Sequence, residues 1–176
     1  MESGYWWMPM INPTLTSNKD DWETPPELFN NLNTVFSFDI DVCATAENTK
    51  CQKYYTPEID GLKQPWHNHK TCWCNPPYPK AKEWLEKAWQ EVYKGATTVC
   101  LIAARPDTRY WHDIVFLHAR AICFLRGRLK FVGAKHSAPF PSALAVFSPY
   151  PLKPPHLKTL AGYGQLFVGG LKMECE

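Results

Sequence analysis

The tetrapeptide Asn75-Pro76-Pro77-Tyr78 is the segment with the clearest chemical potential in the sequence. Its prolines have no N–H and hold the preceding residues in extended geometry, so the segment is a stiff loop that offers hydrogen-bond acceptors. The Asn75 side-chain oxygen and the Pro76 carbonyl can accept both hydrogens of one amino group, and Tyr78 offers a face on which a base can stack. This arrangement prepares an amino nitrogen to attack a methyl group. Alternatively, Asn75 only caps a helix and the prolines only end an element.

The neighbouring elements place this segment in a loop. Cys72, Trp73 and Cys74 have the pattern of a strand end. Pro79 begins a predicted helix that has one apolar face and ends at Gly95. In an open α/β sheet, ligands bind outside the carboxyl ends of the strands. The loop is therefore predicted to lie at the ligand-binding edge of such a sheet.

The rest of the pattern alternates strands and helices. Thr24 as N-cap, with Pro25 at the first helical position, predicts a helix over residues 24–32. The apolar run 97–104 predicts a central strand. Further predicted elements are a strand at 35–44, a helix at 107–118 and strands at 121–125 and 142–147. We expect an α/β fold with an open, mostly parallel sheet, helices on both faces and a terminal antiparallel hairpin.

Length and composition indicate a single domain of 176 residues, with an N-terminal arm at 1–16 and a C-terminal extension at 149–176. No apolar run reaches the roughly 18 residues of a membrane helix and no signal peptide is recognised, so we expect a cytoplasmic protein without a membrane partner. Seven cysteines, an odd number, fit reduced thiols. Cys72 and Cys74 have no further ligands at metal spacing, so no metal site is expected.

The net charge of +2 is unevenly distributed along the chain. Residues 105–135 contain seven Lys and Arg against two Asp, a local charge of +5 that leaves −3 for the remainder. A basic stretch of this kind attracts polyanions, and each neutralised phosphate contributes through counterion release. The alternative is a solvated surface with scattered charge.

Taken in order, several segments resemble the phage and prophage DNA N6-adenine methyltransferases, the small Dam-like family that uses S-adenosylmethionine. The segments are DDWETPPELF, FDIDVCA, NPPY, ARPDTRYWH, GRLKF and APFPS, and the resemblance covers roughly residues 17–147. It implies a Rossmann-like methyltransferase fold and methyl transfer to the N6 amino group of adenine in DNA. Only 34 residues separate Asp41 from Asn75, and one βαβ unit takes about 30. We therefore expect the fold to be trimmed between its cofactor and catalytic motifs.

The resemblance also implies roles for individual residues. The catalytic motif corresponds to Asn75, Pro76, Pro77 and Tyr78. The residues expected to bind the cofactor are Asp41, Cys43, Ala44, Asp60, Trp22, Thr24 and Pro25. For DNA, the basic stretch offers phosphate contacts from Arg105, Arg109, Arg126, Arg128, Lys130 and Lys135. Asp39 and Asp60 compete with Asp41 for the cofactor-binding acid, and we expect a monomer or weak homodimer.

Other functions stay open at this level. The same tetrapeptide serves enzymes that methylate RNA adenine or protein glutamine, and close variants serve cytosine N4 enzymes. The loop after Asp41, VCATAENTK, contains no glycine, whereas the family's cofactor loop is usually rich in glycine. A non-catalytic DNA-binding module with a degenerate fold is therefore a further alternative.

Overall fold

A computed structural model describes residues 22–169, which form one six-stranded sheet flanked by helices. The elements in chain order are α1 (Pro26–Phe36), β1 (Ile40–Asp41), β2 (Thr71–Cys74), α2 (Ala81–Val92), β3 (Thr97–Ala103), α3 (Phe116–His118), β4 (Ala121–Leu125), β5 (Ser142–Phe147), α4 (Pro154–Tyr163) and β6 (Gly164–Val168). Short 3₁₀ turns lie at Gly61–Lys63, Trp66–Asn68 and Tyr78–Lys80. The predicted arm at residues 1–16 and the end of the C-terminal extension lie outside the described residues.

The sheet has the strand order β1-β2-β3-β5-β4-β6. β1, β2 and β3 pair in parallel, whereas β5 is antiparallel to both β3 and β4, and β6 is antiparallel to β4. The parallel pairing predicted for most of the sheet therefore holds for the first three strands, and the other three pairings are antiparallel. β3 lies between β2 and β5, which confirms its predicted central position.

Helices cover both faces of the sheet, as predicted. Alternate residues of β2 divide between two apolar layers, because successive side chains of a strand point to opposite faces. Cys72 and Cys74 belong to the layer beneath α2 and the π-helical turn Trp111–Val115. Trp73 belongs to the opposite layer, together with α1 and Leu160 of α4. This packing fixes the end of β2, and with it the loop that carries Asn75.

Helix α1 differs from its prediction at both ends. It begins at Pro26 with Pro25 as the capping residue, and no side chain caps it. It continues beyond residue 32 because Phe36 extends its buried apolar stripe. Ser37 then ends the helix in a left-handed conformation (φ 51°). The predicted Thr24 N-cap and the early part of the predicted strand at 35–44 are therefore wrong, and only Ile40–Asp41 forms strand there.

The remaining elements follow the sequence pattern more closely. β4 and β5 have the predicted bounds and pair antiparallel. The predicted helix at 107–118 is a π-helical turn followed by the short α3. In the C-terminal extension, α4 packs beside α1, and β6 adds an edge strand next to β4. Within residues 22–169 no helix is both long and apolar enough to cross a membrane.

Candidate active site

A cavity of about 430 Å³ opens at the carboxyl ends of β1 and β2. Its size is typical of sites that bind a small molecule. Its walls come from the segment before α1, the loops that follow β1 and β2, and the start of α2. Of the predicted site residues, the cavity is lined by Trp22, Thr24, Asp41, Cys43, Ala44, Asp60, Asn75 and Pro77. Pro25, Pro76 and Tyr78 were also predicted for the site but do not line this cavity.

Asn75 is held by the segment that precedes α1. Its side-chain nitrogen Nδ2 donates hydrogen bonds to the backbone carbonyl of Trp22 and to Oγ1 of Thr24, the latter at 3.2 Å. Thr24 is 2% exposed, so the hydroxyl that was predicted to cap α1 contacts the candidate catalytic residue instead. Within residues 22–169 the Asn75 oxygen Oδ1 accepts no hydrogen bond.

Asp41 is a buried carboxylate at the end of β1, with 3% of its surface exposed. Its Oδ1 accepts a hydrogen bond from the Cys43 N–H at 3.3 Å, and its Oδ2 accepts one from the Lys50 N–H at 3.2 Å. Burial raises the pKa of Asp41 to about 7, and these amides and the Lys50 charge lower it by less. Its hydrogen bonds from loop amides also suit a purely structural role. The support for its predicted role in cofactor binding is therefore its position in the cavity wall.

Asp39, the competing carboxylate, lies elsewhere. It is exposed and accepts hydrogen bonds from the backbone N–H groups of Lys70 and Thr71, at 2.8 and 3.2 Å. These amides stand at the start of β2, the end opposite to Asn75. Asp39 does not line the cavity, so the geometry favours Asp41 over Asp39.

Asp60 and Gly61 form a tight turn against the loop after β1. Asp60 has a left-handed backbone (φ 56°) and pairs with Lys63 at 2.9 Å, which lowers the pKa of its carboxyl. A Cβ atom at Gly61 would lie 2.2 Å from the carbonyl oxygen of Val42, so only glycine permits this approach. Gly61 therefore lets this turn pack directly on the loop that follows β1.

Aromatic side chains pack beside the tetrapeptide. The Tyr78 ring meets Phe140 edge-on at 4.7 Å, and Trp22 packs on Phe131 and Phe140 at 5.1 and 6.4 Å. The Tyr78 hydroxyl is buried and has no hydrogen-bond partner within the described residues, and burial raises its pKa. Phe131 and Phe140 belong to the loop between β4 and β5, so this loop contacts the segment that holds Asn75.

Residues 12–146 match the family described as DNA N-6-adenine-methyltransferase (Dam). The chain belongs to this family. It is 33% identical to the DNA N-6-adenine-methyltransferase of Haemophilus phage HP1 over 123 residues, which are 68% of this chain and 70% of that protein. It is 31% identical to the DNA N-6-adenine-methyltransferase of Escherichia phage T1 over 96 residues, 54% of this chain and 40% of that protein. The resemblance inferred from the sequence is confirmed.

The span that matches the Dam family contains the whole cavity and ends before α4 and β6. Membership of a methyltransferase family implies S-adenosylmethionine as methyl donor in general terms. Within residues 22–169, no group of three or more His, Cys, Asp or Glu side chains is arranged to hold a metal ion.

The structure adds cavity residues that the sequence did not indicate. Lys50 is 11% exposed and pairs with Glu23 at 2.7 Å, which ties the loop after β1 to the segment before α1. Further lining residues are Thr45, Asn48, Tyr55, Thr56, Leu62, Lys80, Glu83 and Trp84. Trp84 lies on the helix that was predicted to begin at Pro79, and the sequence indicated only that this helix has an apolar face. The others carry no local signal, because their importance depends on which loops meet at the sheet edge.

The six predicted DNA-contacting cations are all exposed: Arg105, Arg109, Arg126, Arg128, Lys130 and Lys135. Among the described residues none of them pairs with a carboxylate. Arg105 and Arg109 follow β3, and the other four follow β4, which runs in the same direction as β3. In this Dam-family chain the unpaired positive charge therefore emerges at the same sheet edge as Asn75.

Proposed function

We propose that this chain transfers a methyl group from S-adenosylmethionine to the N6 amino group of adenine in DNA. The observation that carries the proposal is the orientation of Asn75 in the cavity wall. Its amide nitrogen is engaged by Trp22 and Thr24, which leaves its oxygen available as an acceptor. Membership of the Dam family and the names of the phage relatives support the choice of adenine and DNA.

The volume of the cavity and the chemistry of its lining residues support S-adenosylmethionine as the cofactor. S-adenosylmethionine carries an ammonium group, ribose hydroxyls and a flat adenine ring. The cavity offers carboxylates for the polar groups, at Asp41 and Asp60, and aromatic or apolar side chains for the ring, at Tyr55, Leu62 and Trp84. We propose that these residues hold the cofactor together with Trp22, Thr24, Cys43 and Ala44. The bound cofactor would supply an electrophilic methyl group.

The residues of this chain would act on the amino group of the substrate adenine. Asn75 Oδ1 and the Pro76 carbonyl would accept its two hydrogens, which turns the nitrogen lone pair out of conjugation with the ring. The same acceptors stabilise positive charge that develops on nitrogen. Asn75 is held in place before the substrate arrives, so its oxygen needs little reorganisation. The released proton can pass to water, and no general base is required.

DNA would bind through the cations at this sheet edge. An adenine inside a duplex cannot reach the cavity, so the base must be flipped out or presented unpaired. Arg126, Arg128, Lys130 and Lys135 are candidates for contacts with phosphates beside that base, and Arg105 and Arg109 for contacts nearer the cavity. Tyr78 is the candidate stacking surface, since every base has a π-face.

We propose a trimmed Rossmann-like methyltransferase fold in one domain, with residues 1–16 as an arm and residues 149–176 as an extension. The parallel order of β1, β2 and β3 supports this topology. We further propose that the protein acts as a monomer or weak homodimer in the host-cell cytoplasm, where its DNA substrate lies.

The test is to incubate the purified protein with unmethylated DNA and S-adenosylmethionine, digest the DNA to nucleosides and identify them by mass. The proposal expects N6-methyldeoxyadenosine from the wild-type protein and its loss in Asn75→Ala. Asn30→Ala, an exposed asparagine on α1, is the matched control and should retain activity. Methylation of cytosine N4 or of RNA alone would overturn the substrate assignment, and Asn75→Ala activity within a few-fold of wild type would overturn the role of Asn75.

A further inference from the structure

We infer that Thr24 is a positioning residue for Asn75: its hydroxyl holds the Asn75 amide in the rotamer that presents Oδ1 to the substrate amino group. The inference rests on the proposed function, because it assigns the geometry of that same site. Asn75 and Thr24 are 51 residues apart in the sequence, and the contact gives Thr24 a role beyond forming the cavity wall.

The orientation of the Asn75 amide follows from its partners. A backbone carbonyl can only accept a hydrogen bond, so the Asn75 atom that faces the Trp22 carbonyl must be the NH₂ nitrogen. The same nitrogen reaches Thr24 Oγ1 at 3.2 Å. With both NH₂ hydrogens directed at this segment, Oδ1 is the side-chain atom left to accept hydrogens from a substrate.

The segment that carries Thr24 is itself anchored. The Glu23 carboxylate pairs with Lys50 at 2.7 Å, and the Glu23 carbonyl accepts a hydrogen bond from the Val132 N–H at 3.1 Å. The Thr24 side chain is buried, at 2% exposure, so water cannot readily replace its hydroxyl. Thr24 is therefore a fixed acceptor, and its removal would leave an Asn75 hydrogen unsatisfied.

Without the Thr24 hydroxyl, we expect the Asn75 side chain to be held less firmly in its orientation. With valine at position 24, the Trp22 carbonyl would still face the NH₂ nitrogen but would be its one remaining partner in this segment. The Asn75 side chain could then move, and Oδ1 would point at the substrate amino group for less of the time. Loss of one neutral hydrogen bond corresponds to a rate decrease of about tenfold. We expect the methyl-transfer rate to fall by about tenfold and cofactor affinity to fall by less, because valine keeps the shape of the Thr24 side chain that lines the cavity.

Three variants separate positioning from packing. Thr24→Val keeps the shape of the side chain and removes the acceptor. Thr24→Ser keeps the acceptor and should recover the rate to within about threefold of wild type. Thr34→Val makes the same chemical change at an exposed threonine whose hydroxyl donates a hydrogen bond to the Asn31 carbonyl, and it should leave the rate unchanged. The measurements are single-turnover methylation and cofactor titration by calorimetry.

A second readout does not depend on activity. In ¹⁵N-labelled protein the Asn75 side-chain amide pair, identified by its disappearance in Asn75→Asp, should shift and exchange faster in Thr24→Val but not in Thr24→Ser. This result with the expected rates supports the inference. An unchanged amide pair in Thr24→Val, or a rate equal to wild type, overturns it. A wild-type protein that methylates no adenine overturns the proposed function separately, since the amide signal still reports on the contact.

Discussion

Asp41→Asn is expected to stabilise the protein in a pH-dependent way. Asp41 is 3% exposed, and burial raises the pKa of its carboxyl from 3.8 to about 7. Between these values the folded state binds more protons than the unfolded state. The free energy of unfolding must therefore fall as pH rises through this window, by up to about 1.36 kcal/mol per pH unit. Asparagine cannot ionise, so this fall should be absent in the variant.

The ionisation of Asp41 sets the size of the effect. Between pH 5 and pH 7 the ionisation of Asp41 costs the wild-type protein about 2 kcal/mol, because its carboxyl titrates near the top of this range. The Asn side chain keeps one acceptor but turns NH₂ toward one of the two loop amides, which costs about 1 kcal/mol at every pH. The advantage of Asp41→Asn over wild type should thus grow by about 2 kcal/mol from pH 5 to pH 7.

Urea unfolding of the cofactor-free protein at several pH values measures this difference. Burial lowers the pKa of His69 and His118, so their contribution rises with pH, but it is common to both proteins and cancels. Asp39→Asn is the matched control, since Asp41 remains and the advantage should not develop. Parallel curves for wild type and Asp41→Asn, separated by a constant offset, would refute the reasoning.

Three further predictions concern the turn at Asp60 and Gly61, the buried Glu91 and the exposed Arg128 that follows β4. Gly61→Ala forces a Cβ atom to within 2.2 Å of the Val42 carbonyl, so urea unfolding should show a loss of about 2 kcal/mol and calorimetry a weaker cofactor site. Glu91 is fully buried, and although burial raises the pKa of its carboxyl, hydrogen bonds from Lys87, His67 and Lys94 lower it to about 2. Its stabilisation is present above pH 4.5 and lost as pH falls toward 2, so acid unfolding of Glu91→Gln should lack that component, and an unchanged acid transition would contradict it. Arg128→Gln should weaken DNA binding equally for all sequences and reduce the slope of log affinity against log salt by about 1; a sequence-dependent loss would argue for base contact instead.

Local chemistry in the sequence accounts for several features of the fold. The apolar run at 97–104 predicted β3, because a strand covered on both faces needs apolar residues at consecutive positions. The Asn75 loop was placed between a strand and a helix because proline restricts the backbone wherever it occurs. The predicted start of α1 was wrong because Pro25 and Pro26 both suit a helix start. Its predicted end was wrong because burial of Phe36 outweighed the strand tendency of the residues around it.

The sequence by itself determined that a stiff acceptor loop follows a strand, that an acidic residue ends an earlier strand, and that positive charge is concentrated in one stretch. These features depend on residue type and short spacing. Only the tertiary structure decided that Thr24 holds Asn75 across 51 residues, that Gly61 makes the close approach to Val42, and that Asp41 rather than Asp39 lines the cavity. The physical reason is that such contacts arise where loops meet at one sheet edge, and strand order, which no local preference encodes, brings those loops together.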